Sequence, residues 1–314
     1  MIKIAIDIGY GDVKVYLRNE NGIENYFKFT NAVSFAGNTS VNYHQNALEV
    51  FTFNDLEYLV GNDALWNTPF TARRYQYLHE YAPLLVYKAL KMANISTKED
   101  VQLITGLSLK DWAKAEEFGQ RLSNIFVNNE HYSIAPENIY IVPQGKGVYV
   151  DYKNSHEITE DCFAIVDIGY NTFDFLVFIN GSPVPNKNYA NMLGVNNLVQ
   201  ELQKYLTKEL NITTFSEQEV KTILFERSVR IGAKTHDLSL PIKKEIIKYS
   251  KLLQNEILEK NEDMINRVFK VIFSGGGAYL LKEENVQLFD NQAYSATPYE
   301  FANVRGYYVE LESK

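Results

Sequence analysis

Short apolar runs alternate along the chain with longer stretches in which apolar residues recur at helical spacing. The first run, residues 2–6, predicts a strand. Beyond a polar turn, Val13, Val15 and Leu17 share one face of a second strand, with Lys14 on the other. A later run, 163–166, predicts another strand, and there Phe173, Phe175 and Val177 share a face opposite Asp174. A third, Val271-Ile272-Phe273, runs into Ser274-Gly275-Gly276-Gly277 and a short helix opening at Ala278. Residues 47–60 read as a strand pair around Asn54-Asp55, and 75–93 as a helix with Leu84, Leu85 and Val86 at its centre. A strand is expected over 101–105, with Gly106 starting a loop, and an amphipathic helix over 109–127. A strand over 139–142 ends at Pro143-Gln144-Gly145. Helices are expected over 195–210, carried by Leu198, Leu202, Tyr205 and Leu206, and over 242–261. Strands alternating with helices predict an α/β fold.

One motif occurs twice. Asp7-Ile8-Gly9-Tyr10 returns as Asp167-Ile168-Gly169-Tyr170, about half the chain further on. Both copies read strand, tight turn, strand, and they place Lys14 and Asp174 at equivalent positions. The separation is far longer than a solenoid repeat of roughly 20–50 residues, so it predicts two related domains. Paired turns at half-chain spacing are hard to explain as ordinary loop chemistry.

With 314 residues and 46% hydrophobic content, the chain can build substantial cores. Its formal charge of −8 argues against a broad electrostatic grip on nucleic acid, which needs clustered Lys and Arg. Cys162 is the single cysteine, so no internal disulfide is possible; beside an apolar run it is expected to be a small buried residue. The histidines His44, His79, His131, His156 and His236 show no ligand spacing for zinc. No apolar run approaches the ~20 residues of a membrane-spanning helix. A cytoplasmic protein is expected.

The candidate chemistry follows from the two turns. Facing each other across a cleft, their N–H groups would cradle a polyphosphate from both sides. Asp7 and Asp167 would flank the phosphates and suit Mg²⁺, which prefers oxygen ligands and keeps water. Lys14 would neutralise phosphate charge. Gly9, Tyr10, Gly11 and Asp12 make up the first turn; Gly169, Tyr170, Asn171 and Thr172 make up the second. Gly275, Gly276 and Gly277 lie between a strand and a helix N-terminus, where backbone can approach an anion closely. Phosphoryl transfer needs positioning, a metal and an oriented nucleophile. Gln144, at a strand end, is the candidate for orienting water. The chain has no P-loop sequence. Glu226 and Arg227 read as a surface pair rather than nucleoside contacts.

In that order, the three sites resemble the phosphate-1, phosphate-2 and adenosine motifs of the actin, sugar kinase and heat-shock chaperone superfamily. Two further segments resemble ParM/StbA-type plasmid-partition actins and archaeal actin-like proteins. These are Val142-Pro143-Gln144-Gly145-Lys146-Gly147-Val148 and Phe301-Ala302-Asn303-Val304-Arg305-Gly306-Tyr307. The resemblance spans the chain from Asp7 to Tyr307. It implies a duplicated two-domain actin-like (ribonuclease H-like) α/β fold with an interdomain nucleotide cleft. Residues 1–155 with 300–314 would form domain I, and 156–299 domain II. It implies Mg²⁺-dependent hydrolysis of ATP to ADP, with Gln144, Asp7 and Asp167 in the catalytic roles. It also implies self-association into filaments, with a ParR-like DNA-binding adaptor rather than direct DNA contact, and no membrane. Tyr10 and Tyr170 stand where many members carry small residues. Two alternatives are a small-molecule kinase of the same superfamily, with Asp174 or Asp151 as base, and a nucleotide-binding scaffold.

Overall fold

The computed structural model describes residues 1–37, 48–67, 69–71, 75–156, 158–211 and 215–314. His44 and residue 47 lie outside them. The chain divides into two compact units: Met1–Ile158 with Ala296–Lys314, and Thr159–Ser295.

The first unit begins with an antiparallel meander of β1 (Ile2–Ile8), β2 (Asp12–Arg18) and β3 (Glu24–Thr30). A small separate sheet follows, of β4 (Ala32–Phe35), β5 (Val50–Phe53), β6 (Leu56–Val60) and β7 (Phe70–Thr71). Its β5–β6 turn is Asn54-Asp55, with φ of 49° and 62°, the double left-handed geometry of a tight hairpin. Helix α1 (Tyr75–Met92) buries Leu84, Leu85 and Val86. Strand β8 (Val101–Leu107) lies parallel to β1.

Two expectations fail beyond this point. Gly106 does not start a loop; it lies inside β8, paired with Val142 of the next core strand. The reason is steric: a Cβ at Gly106 would stand 2.1 Å from the Tyr307 hydroxyl, so glycine here makes room for a packed ring. The single helix expected over 109–127 is also absent. A 3₁₀ turn (Leu109–Lys114) leads into α2 (Ala115–Leu122), and the chain then turns into β9 (Asn124–Val127). Ile125 and Val127 are buried and alternate with exposed Asn124 and Phe126, a period of two rather than 3.6. Asn128 and Asn129, at φ 53° and 59°, close the hairpin onto β10 (Glu130–Ser133). Asparagine tolerates that geometry, and tertiary pairing overrides the helical count. Strand β11 (Ile139–Pro143) then completes a sheet of order β11-β8-β1-β2-β3, and α3 (Lys146–His156) follows.

The second unit repeats the plan. β12 (Cys162–Ile168) and β13 (Phe173–Ile179) form an antiparallel hairpin, extended by β14 (Ser182–Pro183) and β15 (Tyr189–Asn191). Helix α4 (Asn196–Leu210) buries Leu198, Leu202 and Leu206, while Tyr205 is half-buried. Helix α5 (Glu217–Glu226) starts on a capping box between Ser216 and Glu219. The ribbon of β16 (Ser228–Ile231) and β17 (Lys234–Asp237) leads into α6 (Ser239–Ile265). That helix runs past both ends of its expected span, through a non-helical Asn261 at φ −142°. Strand β18 (Lys270–Ser274) is parallel to β12, and β19 (Gln292–Tyr294) is parallel to β18; the short helix α7 (Ala278–Glu283) lies between them. In each unit, therefore, an antiparallel hairpin is joined edge-on by two parallel strands. Cys162 opens β12 and is half-buried, not enclosed in the core as its apolar neighbours suggested; burial still raises its thiol pKa.

The chain then returns to the first unit as α8 (Ala302–Glu312). Phe301, Val304, Tyr307, Tyr308 and Leu311 join the core of that unit with Ile4, Ile6 and Tyr16. The Tyr16 and Tyr308 rings meet edge-on at 5.1 Å between centroids. Lys3 Nζ donates to the Leu311 carbonyl at 2.9 Å. Helices α3 and α8 cross at glycines: a Cβ on Gly306 would stand 1.8 Å from the Gly147 carbonyl oxygen. The Arg305 guanidinium donates to both carboxylate oxygens of Asp151, at 2.9 and 2.8 Å.

Candidate functional site

In the first unit, β1 delivers Asp7 to the end of the sheet, where it is 3% exposed. The register of β2 sets Lys14 directly opposite, and Lys14 Nζ lies 3.4 Å from Asp7 Oδ2. The turn between them closes when the Gly9 N–H donates to the Asp12 carbonyl at 3.2 Å. A Cβ on Gly9 would fall 3.1 Å from that carbonyl and 3.2 Å from Lys14 Nζ, so the ammonium sits close against the turn. Asn31, which sequence reasoning missed, holds the turn from behind. Its side-chain amide donates to the Gly9 carbonyl at 2.7 Å, and its backbone N–H donates to the Gly11 carbonyl at 2.9 Å. The Tyr77 hydroxyl donates to Asn31 Oδ1 at 3.3 Å. No local signal in the sequence marked Asn31.

Gln144 lies on the same side of this unit. With Gly9, Tyr10, Asn31 and Asp111 it lines one recess. Its N–H donates to the Leu107 carbonyl at 2.9 Å, which ties it to the end of β8. Gly145 follows at φ 86°, a left-handed turn that glycine adopts without strain. Gly11 and Asp12 complete the hairpin, with Asp12 as the first residue of β2.

In the second unit, Asp167 pairs in register with Asp174 on one side and Ser274 on the other. The Gly169 N–H closes the turn on the Thr172 carbonyl at 2.9 Å. Here the start of α4 does what Asn31 does in the first unit. The N–H groups of Gly194, Val195 and Asn196 donate to the carbonyls of Asn171, Gly169 and Tyr170 at 3.3, 3.1 and 2.8 Å. Gly194 is required for this approach, since a Cβ there would stand 2.4 Å from the Tyr170 carbonyl oxygen. The Tyr170 hydroxyl donates to Glu217 at 2.8 Å, and Lys221 Nζ lies 4.9 Å from the ring centroid. Burial, and then the Glu217 carboxylate, push the Tyr170 phenol well above its usual range, so it remains a donor.

The three glycines after β18 differ in kind. A Cβ on Gly275 (φ 80°) would meet Asp167 Oδ1 at 2.4 Å, and one on Gly277 would meet the Ile168 side chain at 2.3 Å. Gly276 faces open space. The first and third are dictated by packing on the hairpin; the middle one leaves backbone open to a ligand.

Two charged residues considered above have structural commitments. Arg227 caps α5 and bonds Glu284 and, at 3.2 Å, Glu283 at the end of α7. Asp151, a candidate kinase base, is 4% exposed and engaged by Arg305, which leaves it poorly placed to take a proton from substrate. Among the described residues no three His, Cys, Asp or Glu cluster as a metal site, and no helix is long and apolar enough to cross a membrane. Mg²⁺ bound mainly through phosphate and water needs only one or two carboxylates, and each hairpin carries one at the end of its first strand, Asp7 in the first unit and Asp167 in the second.

Two sheets of one topology, each with a glycine hairpin where its first strand ends, define a duplicated α/β protein organised around paired turns. Residues 5–147 match the N-terminal domain of actin-like proteins, and residues 165–286 match the C-terminal domain of the archaeal MreB-like actin homologues. The chain belongs to the actin-like superfamily. Solved structures agree on the fold. The archaeal actin homologue Ta0583 in complex with ADP superposes with a TM-score of 0.82 at 18% identity, covering 100% of both chains. A ParM from Clostridium botulinum, in a 15-stranded filament, gives 0.77 at 20% identity over 100% of this chain and 99% of that one. Bacillus thuringiensis ParM with ATP gives 0.71 at 17% identity over 100% and 98%. A comparison with curated protein sequences finds no match.

Proposed function

We propose that this protein is a filament-forming ATPase that binds Mg·ATP through its glycine hairpins and hydrolyses it to ADP. The observation that carries the reading is the Asp7–Lys14 pair set against a glycine turn that Asn31 holds in place. A fixed ammonium beside a tight glycine turn suits phosphate oxygens. The solved relatives bound to ADP and to ATP, and the ParM filament, support the same reading.

In this reading Lys14 and the 9–11 turn take phosphate oxygens, and the 169–172 turn offers the same kind of contact. Gly276 lets backbone pass close to the nucleoside. Asp7 and Asp167 would supply the carboxylates for Mg²⁺. The ion, when bound, offsets charge on the phosphates as the terminal bond breaks. Gln144 accepts from and donates to the attacking water, fixing its direction without acting as a strong base. Filament growth is coupled to ATP binding. DNA segregation, through a separate DNA-binding adaptor, fits the acidic chain. Localisation in the cytoplasm follows from that role.

The test is light scattering of the purified protein with ATP, ADP or no nucleotide, in Mg²⁺, alongside phosphate release. Scattering should rise with ATP above a critical concentration and decay as phosphate appears. A protein that stays monomeric at high concentration with Mg·ATP sinks the filament reading. Product formed on a sugar or acid panel would move it to the kinases.

A further inference from the structure

The segment 301–307 was singled out in the sequence, yet nothing above gives it a role beyond packing. We infer that Asn303, on the C-terminal helix α8, is a positioning residue for Gln144. The inference rests on reading Gln144 as the residue that orients water.

Gln144 sits in a connection of two residues between β11 and α3. Such a link is held only by what its backbone bonds to. One anchor lies on each side. The Gln144 N–H donates to the Leu107 carbonyl at 2.9 Å. The next N–H, that of Gly145, donates to Asn303 Oδ1 at 3.1 Å, across 158 positions of sequence. Asn303 is 5% exposed, so this bond is sheltered from water. Gly145 has left-handed φ, which aims its N–H away from the continuing helix; the Gly145 carbonyl then accepts from the Tyr149 N–H at 3.2 Å and starts α3.

The rest of the motif keeps Asn303 in place. A Cβ on Gly147 would stand 2.2 Å from the Asn303 carbonyl oxygen, so the two helices touch backbone to backbone. Arg305, two residues along, spans Asp151 on α3 and the carbonyls of Ala296 and Pro298 at 2.6 and 2.9 Å. Rotation of α8 against α3 would therefore carry the Gly145 N–H, and Gln144 with it. A shift of about 1 Å in a water-orienting group can cost roughly a hundredfold in rate.

The experiment is a double-mutant comparison on the full chain, reading phosphate release, ATP affinity and thermal midpoint. Asn303→Ala should cut turnover by about tenfold to a hundredfold while ATP affinity stays within about twofold. In a Gln144→Ala background the same change should add almost nothing, because the group it positions is gone. Asn303→Asp keeps an oxygen acceptor for the Gly145 N–H and should restore turnover towards that of the unmodified chain; it also serves if the alanine variant fails to fold. Losses that multiply in the double variant would overturn the inference, leaving Asn303 a packing residue only. So would full turnover in Asn303→Ala while Gln144→Ala is slow. Unchanged turnover in Gln144→Ala would instead remove the reading of Gln144, and the role of Asn303 with it.

Discussion

The two hairpins share a motif, a strand pairing and a turn closure, yet their tips carry opposite chemistry. In the first unit Asp7 faces Lys14; in the second Asp167 faces Asp174. The supports differ as well. One side-chain amide, Asn31, braces the first turn, whereas three backbone N–H groups at the start of α4 brace the second. After duplication, a turn keeps its shape through its own hydrogen bond, and the residues around it are free to specialise. The first tip sets an ammonium beside a carboxylate; the second sets two carboxylates in register.

That contrast can be broken or sharpened by substitution. The largest effect is expected from Asp167→Ala, which should lower Mg²⁺-dependent phosphate release by about a hundredfold or more while circular dichroism stays unchanged. Turnover close to that of the parent would end the assignment of the second tip to the metal. Lys14→Ala should come next. Loss of a charge-assisted bond of about 1.5–3 kcal/mol predicts ATP binding weaker by roughly tenfold to a hundredfold, with adenosine binding barely altered. Equal losses for both ligands would show that Lys14 does not read phosphate. Gly275→Ala forces a side chain against Asp167 and into left-handed φ, and should cost about 1–3 kcal/mol of stability by denaturant titration. Gly276→Ala, with open space, should be nearly neutral in the same assay, and a cost as large as that of Gly275→Ala would contradict the packing account. Between those two glycine variants falls Tyr170→Phe, which removes only the bond to Glu217 and should lower the thermal midpoint by the equivalent of about 1 kcal/mol.

Much of this was legible beforehand because the signals were local. Period-two alternation announced β2 and β13, and the repeated Asp-Ile-Gly-Tyr announced the duplication. What the chain hid depends on contacts distant in sequence. Residues 124–127 read as the tail of one helix over 109–127, and pairing with β10 makes them a strand. Gly106 looks like a loop signal until Tyr307 is seen against it. Asn31 and Asn303 are ordinary polar residues in sequence; their importance lies in the carbonyl and the N–H they meet across long separations. Arg227 and Asp151 could be assigned only by locating their partners, Glu284 and Arg305.

The path of the chain has a consequence for how the protein is made. The second unit is one continuous segment, 159–295, and its sheet is complete as soon as that segment has left the ribosome. The first unit is not: its core includes Tyr307, Tyr308 and Leu311, which are synthesised after the second unit. Domains generally fold as units during synthesis, at roughly 5–20 residues per second. The earlier-made half must therefore wait, with part of its apolar surface uncovered, for some tens of seconds or less until its last helix arrives. The half translated second is the one that can mature first, and the arrival of α8 is the step that completes the first unit.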